Sequence, residues 1–274
     1  MSRAATAAPA SAEPILLRQD RESIAFVILN RPQARNALSF AMLSALTDMF
    51  ASIRDDRAVR AVVIAANGPA FCSGHDLNEL TAHRQDPDRG RAFFGQAFEF
   101  SANLMQAIVH LPQAVIAAVN GVASAAGCQL VASCDLVIAS ENAVFSTPGV
   151  NIGLFCSAPM VALSRKVASN HAMEMLLTGE QVPAARAREI GLVNRVVAAG
   201  RERDDAFALA CTVAAKSSHV QKIGKEAYYN QLEMNLTDAY AYASNVMAEN
   251  MMARDAEEGI NAFVEKRAPK WEDR

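Results

Sequence analysis

The chain has 274 residues, a length that suits one large domain, or one domain with a small appendage. Hydrophobic residues make up 51% and charged residues 20%, so the chain can bury a sizeable core. The formal net charge of -3 provides no general positive field for nucleic acid or an anionic membrane. No apolar run approaches the roughly 20 residues of a membrane span.

The first fourteen residues are Ala-rich, and no acid precedes Glu13. We expect a disordered terminus on a cytoplasmic protein; a trimmed organellar transit peptide, with a mitochondrial matrix location, is the alternative. The cysteines are odd in number and form no CxxC pair, and the histidines show no metal-ligand spacing. We therefore predict reduced thiols without a metal or disulfide role. These thiols belong to Cys72, Cys128, Cys134, Cys156 and Cys211.

Apolar runs of buried-strand length alternate with helical segments along the first half of the chain. Residues 24–29, 61–66 and 114–119 each end at an Asn-led turn, and 135–140 forms a fourth run. Ser39 is a plausible N-cap for the first helix. This alternation predicts an α/β layer structure with mostly parallel strands.

The pattern changes from residue 204 onward. Segments 206–215, 220–232 and 237–263 have helical patterns and contain no strand-like run. We predict an α/β core over residues 1–203 and a smaller, all-helical C-terminal region over 204–274.

Two Gly-containing segments, 70–77 and 120–130, follow predicted strands. Gly74 can adopt a positive φ and turn the next N–H out of a strand ladder. Ser124 could cap the following helix and leave the N–H of Ala126 unpaired in its first turn. Either segment alone could serve packing only. Together, the two N–H groups could converge on one oxygen and form an oxyanion hole.

Five motifs in order resemble the crotonase (enoyl-CoA hydratase/isomerase) superfamily, and the resemblance spans nearly the whole chain. The motifs are Leu29-Asn30-Arg31-Pro32 with Asn36-Ala37-Leu38, the segment 70–77, Val119-Asn120-Gly121 with its helix, Gly191-Leu192-Val193-Asn194, and Phe263-Val264-Glu265-Lys266-Arg267.

The resemblance implies a spiral of stacked ββα units with a C-terminal helical trimerisation region, in a homotrimer or a hexamer. It also implies an acyl-CoA substrate, with no further cofactor or metal. The oxyanion donors carried over by position are the N–H groups of His75 and Ala126. The residues implied in binding are Arg35 near the CoA phosphates, backbone around Ser73, Asp76 and Leu77, and Phe263 and Lys266 reaching over from a neighbouring subunit.

The chain departs from the hydratases of this family at two positions. Those enzymes use two glutamates to hold and activate the added water, and here the positions are Gln129 and Gly149. An amide cannot act as a base near neutrality, and general acid–base groups contribute about 10²–10⁴-fold each. The usual hydratase activity is therefore doubtful.

Other groups could carry protons near the reacting carbon. His75 stands where the family usually has a small residue, and its ring could carry a proton or point away. Gly149 also resembles the naphthoate-synthase branch, in which bicarbonate or a substrate carboxylate supplies the base. That branch has an Asp where this chain has Cys156, so the thiol could be a nucleophile, an acid or merely buried. Asn151 is a further candidate.

The segments 127–135 and 148–156 look most like the enoyl-CoA hydratase domain-containing subgroup. Three functions remain open. The first is an acyl-CoA enzyme that stabilises a thioester enolate, and the second is a true but weak enoyl-CoA hydratase. The third is a non-catalytic acyl-CoA-binding or scaffold protein.

Overall fold

The structure is a computed structural model that describes residues 13–274, so residues 1–12 of the terminus predicted to be disordered (1–14) lie outside the described part. The strands are β1 (Leu16–Arg21), β2 (Ile24–Leu29), β3 (Ala61–Ala66), β4 (Ala70–Cys72), β5 (Ala114–Val119), β6 (Val122–Ser124), β7 (Leu136–Ser140), β8 (Val144–Ser146), β9 (Val182–Pro183) and β10 (Arg195–Val197). The helices are α1 (Phe40–Arg54), α2 (Leu77–Ala82), α3 (Arg91–Val109), α4 (Ala126–Ser133), α5 (Ser157–Leu163), α6 (Ser169–Thr178), α7 (Ala184–Glu189), α8 (Glu202–Ala214), α9 (Ser218–Gln231), α10 (Leu236–Met251) and α11 (Arg254–Val264).

The strands form two sheets. The larger has the order β1-β2-β3-β5-β7-β10, and the smaller has the order β4-β6-β8-β9. Pairing in the larger sheet is parallel except between β1 and β2. The strand pairs β3/β4, β5/β6 and β7/β8 each place one strand in each sheet before the chain turns into helix. This is the predicted spiral of stacked ββα units.

Both faces of the larger sheet are covered, which explains its nearly continuous apolar strands. Alternate residues of β2 point to opposite sides: Val27 and Leu29 enter the main core, whereas Ile24 and Ile28 enter a second cluster. Helix α8 contributes Ala206 and Ala210 to that second cluster. The first C-terminal helix is therefore packed on the sheet.

After Val197, the described chain contains helices and no strand. The segment 237–263, predicted to be helical, forms two helices: α10 ends at Met251 and α11 begins at Arg254. Ala253 between them is extended, at φ -67° and ψ 143°. Asp255 in the first turn of α11 is buried and accepts the N–H groups of Glu272 and Asp273. The new helix thus begins where a carboxylate anchors the C-terminal tail.

Helix α9 is attached to the amino-terminal ends of β5 and β7 through Asp135. This carboxylate accepts the Val115 N–H at 2.7 Å, pairs with Lys225 at 2.7 Å and accepts the Tyr229 hydroxyl at 2.9 Å. The carboxylate is nearly buried and is satisfied from three directions. It therefore holds α9 against the end of the sheet opposite the 70–77 and 120–130 segments.

The loop before α1 is held by the buried side chain of Asn36. Its Oδ1 accepts the Arg31 N–H at 2.8 Å, and its Nδ2 donates to the carbonyls of Asn67 and Ala70 at 2.9 and 2.8 Å. Asn36 also has a φ of 54°, a conformation that Asn tolerates better than most residues. One side chain thus joins the α1 loop to both ends of the β3–β4 turn.

We predict that Asn36→Ala lowers the free energy of unfolding by about 3 kcal/mol or more, because it leaves buried backbone groups unpaired at a positive φ. Urea denaturation of purified protein measures the change. Asn78→Ala, at an exposed position of α2, is the matched control and should change stability little. Equal stability of the two variants would contradict the structural role of Asn36.

Candidate functional site

The two Gly-containing segments lie side by side. Strand β4 pairs in parallel with β6, so the chain leaving β4 meets the chain that enters α4. Gly74 has a φ of 98°, and a methyl group added there would lie 3.0 Å from the Ala125 Cβ and 3.5 Å from the Ala126 amide nitrogen. Glycine is required at this point both for conformation and for space.

The N–H group of His75 is held clear of other carbonyls. Leu38 donates its N–H to the Gly74 oxygen at 2.8 Å and accepts the Asp76 N–H at 3.2 Å. In this parallel bridge, Leu38 bonds to the residues before and after His75. The N–H of His75 therefore points away from Leu38. Within residues 13–274 it has no hydrogen-bond acceptor.

The N–H group of Ala126 is free for a different reason. Ala126 is the first residue of α4, where the helix itself supplies no acceptor, and none is found elsewhere in the described chain. The preceding N–H, of Ala125, donates to the Ser146 carbonyl at 2.9 Å. The helix N-terminus therefore offers an unpaired donor beside Gly74.

The expectation that Ser124 caps α4 is wrong. The N-cap position is Ala125, with φ 49° and ψ -117°, and no side chain caps the helix. The Ser124 hydroxyl instead accepts a hydrogen bond from the Ser146 hydroxyl at 3.1 Å, across paired strands. A non-glycine residue in this conformation is strained and persists only where its surroundings enforce it.

Backbone contacts also fix the position of α4. A methyl group added at Gly127 would lie 2.1 Å from the Cys72 carbonyl oxygen, so the helix rests directly on β4. Every residue of α4 is buried. The Ala126 donor is therefore held by main-chain packing rather than by a flexible side chain.

The His75 ring packs edge-on against Phe98 of α3, with ring centroids 5.3 Å apart. Burial lowers the pKa of His75 from its usual 6.5, and an interaction with the Leu38 carbonyl opposes this in part. The imidazole is therefore neutral at pH 7. Phe98 was not identified from the sequence, since a Phe on an amphipathic helix gives no indication of its partner.

We predict that the His75 ring lowers stability in mild acid. As the pH falls through about 6.5, the unfolded chain takes up a proton that the folded ring resists, so folding loses free energy. His75→Gln should lose less stability than the unaltered protein between about pH 7.5 and about pH 5.5. Urea unfolding at both pH values measures this, and the exposed His110→Gln is the control. An unchanged pH dependence in His75→Gln would contradict the prediction.

Gln129 lies one helical turn after the Ala126 donor. Its side chain is 4% exposed, and its Oε1 has no hydrogen-bond partner among the described residues. The i, i+3 spacing places Ala126 and Gln129 on the same side of α4. A buried, unpaired amide oxygen is costly, so this group requires a partner such as a water molecule or a ligand.

The second glutamate position of the family has no space for a side chain. A methyl group added at Gly149 would lie 2.7 Å from the Leu154 carbonyl oxygen and 2.9 Å from the Cys156 sulfur. Cys156 is 8% exposed, and burial raises the pKa of its thiol. Burial likewise raises the pKa of the neighbouring Cys128 thiol to about 12. Both groups are therefore protonated thiols at neutral pH.

We predict that Gly149→Glu is destabilising rather than restorative. The new Cβ would contact backbone and sulfur below 3.0 Å, so the 149–156 loop would have to move, at a cost of about 1–3 kcal/mol. Thermal unfolding should place Gly149→Glu well below Gln129→Glu, which adds no atoms beyond the existing side chain. A Gly149→Glu protein as stable as Gln129→Glu would refute the packing argument.

The implied binding residues of the first loop surround the His75 donor. The Ser73 N–H donates to the Arg35 carbonyl at 3.1 Å, and the Arg35 side chain is exposed. Asp76 caps α2 and pairs with Arg31 at 3.0 Å, while Leu77 is 51% exposed. The N–H groups of Ser73 and Asp76 are thus already engaged. The Arg31–Asp76 ion pair was not predicted from the sequence.

The remaining candidates lie elsewhere in this single chain. Phe263 is 85% exposed at the end of α11, and Lys266 follows it in solvent, so neither side chain packs on the oxyanion segments. Asn151 is exposed, and its amide lies against Gly179. The proposed closure over a nucleotide by Phe263 and Lys266 stays a prediction that requires a second subunit.

Two general features bear on the class of site. Residues 13–274 contain no cluster of three or more His, Cys, Asp or Glu side chains arranged to hold a metal ion. Within the same residues, no helix is both long and apolar enough to cross a membrane.

Stacked ββα turns with paired amides at a strand–helix junction define a crotonase-type protein. The chain matches the family described as enoyl-CoA hydratase/isomerase over residues 19–274, and it belongs to that family. Enoyl-CoA hydratase domain-containing protein 3, mitochondrial, of Xenopus laevis is 44% identical over 94% of this chain and 86% of its own length. The Homo sapiens protein of that name is 43% identical over 91% of this chain and 81% of its own length.

Solved structures agree with this assignment. A crystal structure described as enoyl-CoA hydratase of Mycobacterium smegmatis has a TM-score of 0.90 and 49% identity, and covers 94% of this chain and 99% of that one. The crystal structure of human enoyl coenzyme A hydratase domain-containing protein 3 has a TM-score of 0.89 and 41% identity, and covers 94% of this chain and all of that one. The predicted family and fold are therefore confirmed.

Proposed function

We propose that this protein binds an acyl-CoA thioester and stabilises the enolate formed from it, with the N–H groups of His75 and Ala126 as the oxyanion hole. The observation that carries the proposal is the pair of unengaged amides on segments joined at Gly74. Donors of this kind, fixed in place before the reaction, stabilise developing negative charge at no cost of reorganisation. The adjoining backbone of Ser73, Asp76 and Leu77, with Arg35 nearby, would cradle the CoA portion.

The oxyanion hole steadies charge but does not by itself move protons. The candidate proton carriers are a neutral imidazole, an amide and a protonated thiol, on His75, Gln129 and Cys156. None of these is a carboxylate. The proposed chemistry is therefore removal or return of the α-proton of the acyl group, with slow proton transfer.

True enoyl-CoA hydration is the second candidate, because several relatives carry the name enoyl-CoA hydratase. The packing around Gly149 argues against it, since no second carboxylate can be placed there without moving the loop. Acyl-CoA binding without catalysis is the third candidate. It requires only that the CoA-binding backbone around residues 73–77 be intact.

The oligomer and the location follow from the family resemblance. We propose a homotrimer or a dimer of trimers, which would bring Phe263 and Lys266 to a neighbouring site. The name "mitochondrial" on the animal relatives supports the mitochondrial matrix over the cytoplasm as the location.

The decisive measurement is exchange of the acyl α-protons into deuterated water, followed by NMR with butanoyl-CoA. We expect exchange above the protein-free rate. Gly74→Ala should reduce it about 10²–10³-fold, because the added methyl group at a positive φ displaces one oxyanion donor. Gly95→Ala is the matched control: nothing lies within 4 Å of its added methyl group on α3, so exchange should be retained.

The alternatives give different results. Binding of butanoyl-CoA by calorimetry without any α-proton exchange would leave the non-catalytic function and contradict ours. Rapid hydration of crotonyl-CoA, at the rate of a two-glutamate enzyme, would establish the second candidate instead.

A further inference from the structure

A cavity lies at the end of the larger sheet away from the oxyanion segments. Its volume is about 460 Å³, within the range of small-molecule sites. Ala114, the first residue of β5, lines the cavity, whereas the 120–130 segment follows Val119, the last residue of that strand. Apolar and charged groups share the rest of the lining, among them Pro112, Val213, Asp135, Lys166 and Lys225.

The charges in this cavity do not balance. Asp135 is the one carboxylate that the described residues place in its lining, and it is paired with Lys225 at 2.7 Å. Lys166 adds a second positive charge. Its Nζ donates one long hydrogen bond, to the Asp135 carbonyl at 3.4 Å, and forms no ion pair within residues 13–274. The cavity therefore has one excess positive charge, and two N–H donors of Lys166 are unused.

Burial makes the unpaired charge of Lys166 costly. The side chain is half-buried, and burial lowers the pKa of its ammonium group, although the Asp135 charge acts in the opposite direction. Charged groups removed from water are normally paired. An anion in the cavity would supply the partner that the chain itself does not.

Helix α9 leaves space for such a ligand. Its lining residues recur every three or four positions, from Gln221 to Tyr229, so one face of the helix forms a wall of the cavity. Gly224 is in the middle of this face, and a methyl group added there would meet nothing within 4 Å. Glycine inside a helix is less favourable than alanine by about 1 kcal/mol, and neither packing nor a positive φ requires it here. The absent side chain keeps the cavity open.

We propose that this cavity binds a small organic carboxylate with an apolar body. The carboxylate would accept the unused donors of Lys166, and the apolar part would lie against Pro112, Val213 and the open helix face at Gly224. The single excess charge favours a monoanion over a phosphate monoester, whose charge at pH 7 is about -1.5 to -2. The site is independent of the proposed function, because it uses neither oxyanion amide.

The test is calorimetric titration of the full chain with hexanoate. We expect one site per chain. Hexanamide has the same apolar body without the charge, and acetate has the charge without the body. Each should bind about tenfold more weakly or worse, because hydrogen bonds to a charged group and buried methylene groups both contribute to binding.

Substitutions locate the site. Lys166→Gln should weaken hexanoate binding about tenfold or more. Lys222→Gln, at an exposed position of α9 outside the lining of this cavity, is the matched control and should bind as the unaltered protein does. Gly224→Leu should fill the cavity and abolish binding without lowering the thermal unfolding temperature. Gly95→Leu, at an equally open position of α3, is its control.

Several results would overturn the inference. Folded protein that does not bind hexanoate, or that binds hexanamide equally well, has no carboxylate site here. Equal affinities of Lys166→Gln and Lys222→Gln would remove Lys166 from the site. Hexanoate bound elsewhere, including where acyl-CoA is proposed to bind, would survive Gly224→Leu and would contradict the assignment to this cavity.

Discussion

The contact of Gly74 with the start of α4 is the constraint on which the candidate site depends. At this point two chain segments approach so closely that one added methyl group would touch the Ala125 Cβ at 3.0 Å. The approach is enforced from several sides: β4 pairs with β6, Gly127 rests on the Cys72 carbonyl, and Asn36 holds the turn that precedes β4. Because these contacts fix the main chain, the two N–H groups cannot move to find partners within the protein. A site built on regular elements in this way keeps its geometry.

The side chains considered as proton carriers include no carboxylate. They are the amide of Gln129, the thiol of Cys156 and the ring of His75. Burial raises the pKa of the thiol and lowers the pKa of the ring, so both are uncharged near pH 7. Each can bind a polar substituent, and none is poised near pH 7 as a strong base. Under the proposed function, the site would stabilise charge without activating water, two functions that the hydratases of this family combine.

Much of this fold could be predicted from sequence because buried parallel strands give clear signals. The runs at 24–29, 61–66 and 114–119 became β2, β3 and β5 with the same bounds, since both sheet faces are apolar. The wrong prediction that Ser124 caps a helix could not be corrected from the sequence. Its hydroxyl instead accepts a hydrogen bond from Ser146 on the neighbouring strand, a contact that the sequence does not reveal. The same holds for Phe98 at His75 and for the Cys156 sulfur at Gly149, which depend on tertiary contacts between distant residues.

The contact between Gly149 and Cys156 also changes how the absent glutamates are understood. Replacing a glutamate by Gln129 alters only its chemistry, because the two side chains have nearly the same shape. Glycine at the other position differs in packing as well, since an added methyl group would lie 2.7 Å from the Leu154 oxygen and 2.9 Å from the Cys156 sulfur. A side chain cannot return to position 149 without reopening that loop. The departure from the hydratase pattern at position 149 therefore involves main-chain packing as well as side-chain chemistry.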